Sequence, residues 1–236
     1  MPLTLVSHPD FRYPPSSNPY WARLKNFPEC AYCDHTAELN PGKWRDRFLK
    51  KFSSSPELHV EIGCNAGHVL IEWATQNPNK AYIGIDWKFK AIHRGAEKAK
   101  KRTLENLIFL RAHAERMPFI FGPSEIDQLH LYFPDPWPKR AHWTNRLVTA
   151  PQLLIFSKFI KSGGQLEIKT DHIDYFNWMQ RQIQEVRHAW RVIEMTEDLH
   201  AGHPKPASLD IPEVTLFEKV FIRENIKIHR IRLLRV

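Results

Sequence analysis

The sequence predicts an α/β protein with a doubly wound, mostly parallel sheet and an antiparallel strand near its C-terminus. Three observations predict it. From residue 57 onward short apolar runs alternate with longer stretches of helical periodicity, the pattern of successive βαβ units. The first of these runs passes into a helix through a turn of small residues. A chain of 236 residues, 42% of them hydrophobic, can bury one substantial core.

Residues 1–42 are rich in Pro, Asn and Ser (Pro14, Pro15, Ser16, Ser17, Asn18, Pro19) and poor in periodic apolar positions, so they read as an N-terminal arm. Residues 43–236 then form the domain. Over 43–52, Trp44, Phe48, Leu49 and Phe52 recur at helical spacing opposite Arg45, Arg47, Lys50 and Lys51, which predicts a basic amphipathic helix. Strands are expected at 58–62, 81–85, 107–110, 128–133 and 165–170, with helices at 68–76, 88–102, 145–161 and 175–189. A strand over 190–195 follows, then a loop holding Gly202, Pro204, Pro206 and Pro212, then a β-rich tail over 215–236.

Lys and Arg total 34 against 26 acids, a formal charge of +8, which favours a polyanionic partner: RNA, DNA or an anionic surface. Three cysteines make no disulfide framework and suit a reducing compartment. With no basic-then-apolar stretch near Met1 and no apolar run approaching the ~20 residues of a membrane helix, a soluble, cytoplasmic protein is expected.

The turn after the first strand reads Glu61-Ile62-Gly63-Cys64-Asn65-Ala66-Gly67. Missing Cβ atoms there let a ligand approach the backbone. The second strand ends in Asp86, a carboxylate placed to accept hydrogen bonds from a ribose diol. A dinucleotide would bring a pyrophosphate, which Glu61 repels; S-adenosylmethionine brings a cationic ammonium and sulfonium, which Glu61 suits. The bland alternative is a tight strand-to-helix turn with no ligand.

The Glu-x-Gly-x-Asn-x-Gly order resembles the first motif of the class I methyltransferases, in which Gly usually stands at the position of Asn65. The resemblance implies a Rossmann-like fold, S-adenosyl-L-methionine as cofactor, and Glu61, Gly63 and Asp86 as cofactor-binding residues. It also implies that the loop after the third strand holds the adenine. That loop here is Arg111-Ala112-His113-Ala114-Glu115, with His113 where Asp or Asn is usual.

After the fourth strand comes Phe133-Pro134-Asp135-Pro136-Trp137-Pro138-Lys139-Arg140. Its prolines fix the backbone with little entropy left to lose, and its position beyond a strand's C-terminal end turns Asp135 toward the crevice of Glu61 and Asp86. A rigid loop with an acid, a Trp and cations can hold a planar, anion-linked base. Pro-Asp-Pro-Trp-Pro-Lys at this place resembles the hallmark of the tRNA (guanine-N7-)-methyltransferases. The likeness runs from about Lys43 to the C-terminus and takes in Gly164-Gln165-Leu166-Glu167-Ile168-Lys169-Thr170-Asp171 and Thr215-Leu216-Phe217-Glu218. Basic residues after Lys139 are thinner than in the family (Arg140, His142, Arg146), and the Gly that commonly follows Thr-x-Phe-Glu is absent.

The resemblance implies formation of 7-methylguanosine in the tRNA variable loop, with tRNA as partner; no metal is expected, and of the oligomeric states, which the sequence leaves open, a monomer is favoured. Asp135 is implied as the catalytic residue, lying beside the cofactor as well, and Lys139, Asp171, Thr215 and Glu218 as substrate-binding residues. Without it, Lys139 would be a solvated charge, Asp171 a helix N-cap, and Thr215 and Glu218 exposed strand or cap residues. Other readings are a weak or inactive RNA-binding protein on the same fold, a methyltransferase acting on another RNA, and a nicotinamide-dependent oxidoreductase. Cys30, Cys33 and His35 fall short of the four ligands of a zinc site. Lys98, Lys100, Lys101 and Arg102 read as a solvated helix face.

Overall fold

The computed structural model describes residues 6–14, 16–49, 52, 54–201 and 214–236. Its elements are α1 (Pro19–Leu24), β1 (Ala31–Cys33), α2 (Trp44–Leu49), β2 (Leu58–Ile62), α3 (His68–Gln76), β3 (Ala81–Asp86), α4 (Phe89–Lys101), β4 (Leu107–Arg111), α5 (Met117–Ile120), β5 (Ile126–Tyr132), α6 (Ala150–Phe159), β6 (Ile160–Thr170), α7 (Ile173–Glu185), β7 (Trp190–Thr196), α8 (Leu216–Glu224) and β8 (His229–Arg235). The eight strands form one sheet in the order β1-β4-β3-β2-β5-β6-β8-β7. The pairs from β1 through β6 are parallel, while β8 runs antiparallel to both β6 and β7.

From β2 the chain builds outward through β3 and β4 on one side and through β5 and β6 on the other. The C-terminal ends of β2 and β5 therefore meet at the topological switch point, where open α/β sheets bind ligands. Alternation along the strands sorts side chains between two cores. Leu58, Val60, Ile62, Leu129, Leu131, Leu166 and Ile168 pack on one face with Trp44, Phe48, Leu153, Phe156, Tyr175 and Phe176 from α2, α6 and α7. On the other face Tyr82, Leu107 and Phe109 pack with Leu70, Ile71 and Ala74 of α3 and with Ile92, Ala96 and Ala99 of α4. The positions between the first set face this second side. Register aligns Glu61, His130, Glu167 and Arg232 across β2, β5, β6 and β8, making that part of the face polar.

Core strands lie within a residue or two of their expected places, because runs buried on both faces leave a continuous apolar signal. Four differences have physical causes. Ala31–Cys33, inside the stretch read as an arm, pairs with β4, and Leu24 and Tyr13 are buried nearby. A three-residue edge strand is held by backbone hydrogen bonds and is too short to show a period of two. Residues 215–236 are not β-rich throughout: Thr215 caps the helix α8, and only β8 is a strand. The residues expected to begin a helix at 145 instead end a 3-10 turn (Arg140–Asn145), and α6 begins where Thr149 accepts from the Gln152 amide. β6 follows α6 directly and starts five residues before the expected position. The Gly202, Pro204, Pro206 and Pro212 loop lies outside the described residues. Among the described residues no helix is long and apolar enough to cross a membrane.

Candidate cofactor and substrate site

The loop from β2 to α3 is held by backbone hydrogen bonds, with Gly63 N and Cys64 N both donating to Ile85 O at 2.8 and 3.1 Å. Gly67 has φ +64, and a Cβ there would lie 2.4 Å from the Phe109 ring, so both conformation and space require glycine. Gly63 has φ +81, yet a Cβ there would meet nothing within 4 Å. That emptiness marks an open cradle beside the backbone. Asn65 adopts φ 49, the left-handed region that Asn tolerates best among residues with a Cβ, so the turn forms without the usual glycine.

Glu61 sits at the end of β2 with 5% exposure, and its Oε2 has no hydrogen-bond partner among the described residues. Burial pushes its carboxyl up to about 8, with Lys169 opposing and Asp86 reinforcing the shift. Asp86 is buried at the end of β3 and ties two turns together. Its Oδ2 accepts from Asn65 N at 3.0 Å and its Oδ1 from Lys88 N at 2.8 Å. Each oxygen keeps a lone pair for a further donor. The following Trp87 is 56% exposed. His113 stacks between Trp87 and Tyr13, at centroid distances of 6.4 and 6.2 Å. Burial, then the Arg111 charge, hold its imidazole below the usual range.

The loop after β5 begins with Phe133 N donating to Lys169 O at 2.8 Å. Phe133 and Trp137 have φ of 53 and 41, so two bulky residues in the loop sit in left-handed conformations. Arg146 holds it there. The guanidinium donates through Nε to Pro136 O at 2.8 Å and through Nη2 to Trp137 O at 3.4 Å. It lies 4.6, 4.9 and 5.0 Å from the rings of Trp143, Trp178 and Tyr175. At 5% exposure Arg146 is a brace for the loop, whereas the sequence reading grouped it with the outward basic residues. Asp135 and Lys139 are exposed on the braced loop, and Asp135 is near enough to Tyr175 to help raise its hydroxyl pKa.

Asp171 is exposed just beyond β6, and it is not the helix cap: His172 Nδ1 accepts from Tyr175 N at 3.3 Å at the start of α7. Thr215 is buried and does cap α8, its Oγ1 accepting from Glu218 N at 3.0 Å. Glu218 is 1% exposed and pairs with Lys169 at 3.1 Å and His200 at 2.9 Å. Neither the exposed-strand nor the exposed-cap reading of Glu218 survives. The fold brings Glu61, Asp86 and the glycine turn into one cradle and joins Glu218 to Lys169 beside Tyr132, whose ring centroid is 4.7 Å from Lys169 Nζ. Sequence reasoning passed over Lys169, His200, Trp87 and the bracing role of Arg146. Lys169 carried a signal: strand alternation puts it on the face of Glu167, opposite the apolar Leu166 and Ile168.

A family model described as "Putative methyltransferase" matches residues 55–231, three quarters of the chain. The tRNA (guanine-N(7)-)-methyltransferase of Lachnoclostridium phytofermentans is 34% identical over 89% of this chain and 96% of its own. This chain belongs to the tRNA (guanine-N7-)-methyltransferase family. A family member of the same printed name from Bdellovibrio bacteriovorus is 31% identical over 87% of this chain and 95% of its own. Among solved structures, one titled as an antibiotic related methyltransferase has a TM-score of 0.58 at 19% identity, covering 85% of this chain and 98% of that one. A SAM dependent methyltransferase from Aquifex aeolicus has a TM-score of 0.52 at 14% identity, covering 84% of this chain and 92% of that one. At such identities the two structures speak to the fold, which this family member shares with them.

Proposed function

We propose that this protein transfers a methyl group from S-adenosyl-L-methionine to N7 of a guanine in the variable loop of tRNA, in the cytoplasm. The observation that carries the reading is the Glu61 carboxyl group, buried at the switch point with Oε2 unpartnered among the described residues, beside an open glycine cradle. A buried, unsatisfied acid is costly unless a cation completes it, and the ammonium of the cofactor's methionine moiety is such a cation. The Gly63 cradle, Asp86 with its spare lone pairs, and His113 in its aromatic stack fit the rest of that molecule. When bound, the cofactor supplies a methyl group activated by a sulfonium.

Guanine N7 carries an accessible lone pair, so no residue has to create a nucleophile, and positioning dominates. Asp135, on a loop braced by Arg146, accepts hydrogen bonds from the guanine N1–H and N2–H edge and offsets the positive charge that grows on the purine. By the family resemblance it lies beside the cofactor as well. Lys139 and Asp171, both exposed on the rim, contact the RNA. Thr215 and Glu218 close the far side of the pocket by a different route from the one the family resemblance implied: Thr215 starts α8, and Glu218 fastens that helix to Lys169. An inactive RNA binder would draw on Asn65 and His113, which stand where the class I methyltransferases usually carry Gly and Asp or Asn. It loses ground because Asn65 takes the left-handed turn and His113 has its own aromatic niche.

The test is transfer of labelled methyl from S-adenosylmethionine to unmodified tRNA, followed by nucleoside analysis. A 7-methylguanosine product is expected, and Asp135→Ala is expected to lower turnover by at least ~100-fold with cofactor affinity largely retained. Cofactor binding without transfer to any tRNA would overturn the reading.

A further inference from the structure

Between α3 and α4 lies a concave surface that the site above does not use. His68, Ile71 and Glu72 of α3, Lys98 and Lys101 of α4 and its C-cap Arg102 line a cavity of about 240 Å³. The sequence explains its chemistry. Ala91, Ile92, Ala96 and Ala99 turn one face of α4 into the core, which leaves the cations to the opposite face at helical spacing. Arg102 takes Glu72, the one acid among the described lining residues, at 2.7 Å. Lys98 Nζ is left 3.4 Å from His68 Nε2. Burial, then Arg102 and Arg94, hold Lys98 below its usual range, and His68 is lowered by burial, Lys98 and Lys219. Cations crowded into a concavity repel one another until an anion enters.

The groove also points somewhere. His68 opens α3 directly after the cofactor turn, and Lys219 on α8 lies within electrostatic reach of it. The other face of α8 places Phe217 and Phe221 against Phe133, at 6.1 and 5.3 Å, and Phe133 leads into Pro134 and Asp135. The cations thus run from the last turn of α4 past the start of α3 to α8, the helix that packs on the start of the loop carrying Asp135.

We propose that this groove holds backbone phosphates of the RNA substrate outside the target nucleotide. The inference rests on the tRNA reading above and assigns that substrate a second contact region. It divides a cluster that the sequence presents as one solvated face. Lys98, Lys101 and Arg102 line the groove, while Lys100 lies over the Phe27 ring at 5.5 Å and is not among the lining residues.

That division supplies the control. Binding of an unmodified tRNA transcript is measured over a salt series for wild type, Lys98→Glu/Lys101→Glu, the milder Lys98→Gln/Lys101→Gln, and Lys100→Glu, each checked for fold by its binding of S-adenosylhomocysteine. The groove variants are expected to weaken tRNA binding by roughly 10-fold or more and to flatten the log K against log salt slope by about 1 to 2, the loss of one or two phosphate contacts. Lys100→Glu is expected to stay within about twofold of wild type. Equal effects from Lys100→Glu and the groove pairs would mean a diffuse field, and wild-type slopes in the groove pairs would mean no contact; either overturns the inference. Wild-type protein that binds tRNA through this groove but transfers no methyl would overturn the functional reading and leave the groove standing.

Discussion

On the proposed pairing of Glu61 with the cofactor's ammonium, cofactor binding is a proton-linked reaction. Its carboxyl in the free protein is pushed up to about 8, so at pH 7 it is mostly protonated. An unfolded chain would carry this group near 4.5, so between about 4.5 and 8 the folded free protein holds more protons than the unfolded one, and Glu61 makes the free fold less stable as pH rises through that window. An ammonium pairs with the ionised form, and ionising Glu61 one unit below its pKa costs about 1.4 kcal/mol, a factor of ten. Affinity for S-adenosylhomocysteine, which keeps the ammonium, is therefore expected to rise about tenfold from pH 6 to 7. It then bends toward a plateau from about 8, where Glu61 of the free protein is already half ionised. Calorimetric titration at pH 7 in two buffers of different ionisation enthalpy should show close to one proton released per ligand. In Glu61→Gln the rising limb and the proton release should both vanish while affinity falls. A flat affinity from pH 6 to 8 with no proton release would refute the assignment of the ammonium to Glu61.

Three further outcomes follow from the same geometry. Arg146→Lys keeps the charge and loses the fork to the Pro136 and Trp137 carbonyls, contacts on the order of 1.5–3 kcal/mol each for a charged donor. Methyl transfer should fall at least ~10-fold with cofactor affinity near wild type, and unchanged turnover would dismiss the brace. Glu218→Gln leaves Lys169 a buried cation without its charge partner, a loss of about 3–5 kcal/mol that should lower the thermal midpoint by roughly 10 °C. A variant with wild-type melting and lost turnover would instead return Glu218 to direct substrate contact. Gly67→Ala puts a Cβ 2.4 Å from the Phe109 ring at φ +64, so urea unfolding should show a loss of about 2 kcal/mol or more. Wild-type stability would mean that Phe109 has somewhere to go.

Much of this molecule was legible in its residues because the relevant interactions are local. The alternation of apolar runs and helical periods follows from burial on both faces of a parallel sheet, and it located β2, β3, β4 and α3 within a residue. Glu61, Gly63, Asp86 and the 134–139 loop stand at strand ends, where topology alone turns them toward one crevice. The rest depended on partners distant in sequence. That Ala31–Cys33 is a strand is decided by β4, since three residues have no period of their own. That Arg146 braces the Pro loop is decided by Tyr175 and Trp178 on α7, which enclose a guanidinium the sequence shows only as one more positive charge. Glu218 and Lys169 are 49 positions apart, and only the packing of α8 across the end of β6 converts two apparently solvated charges into a buried pair. Local periodicity reports which face of an element is dry. The energy of a buried charge depends on what stands opposite it, and that is fixed only when the chain has folded.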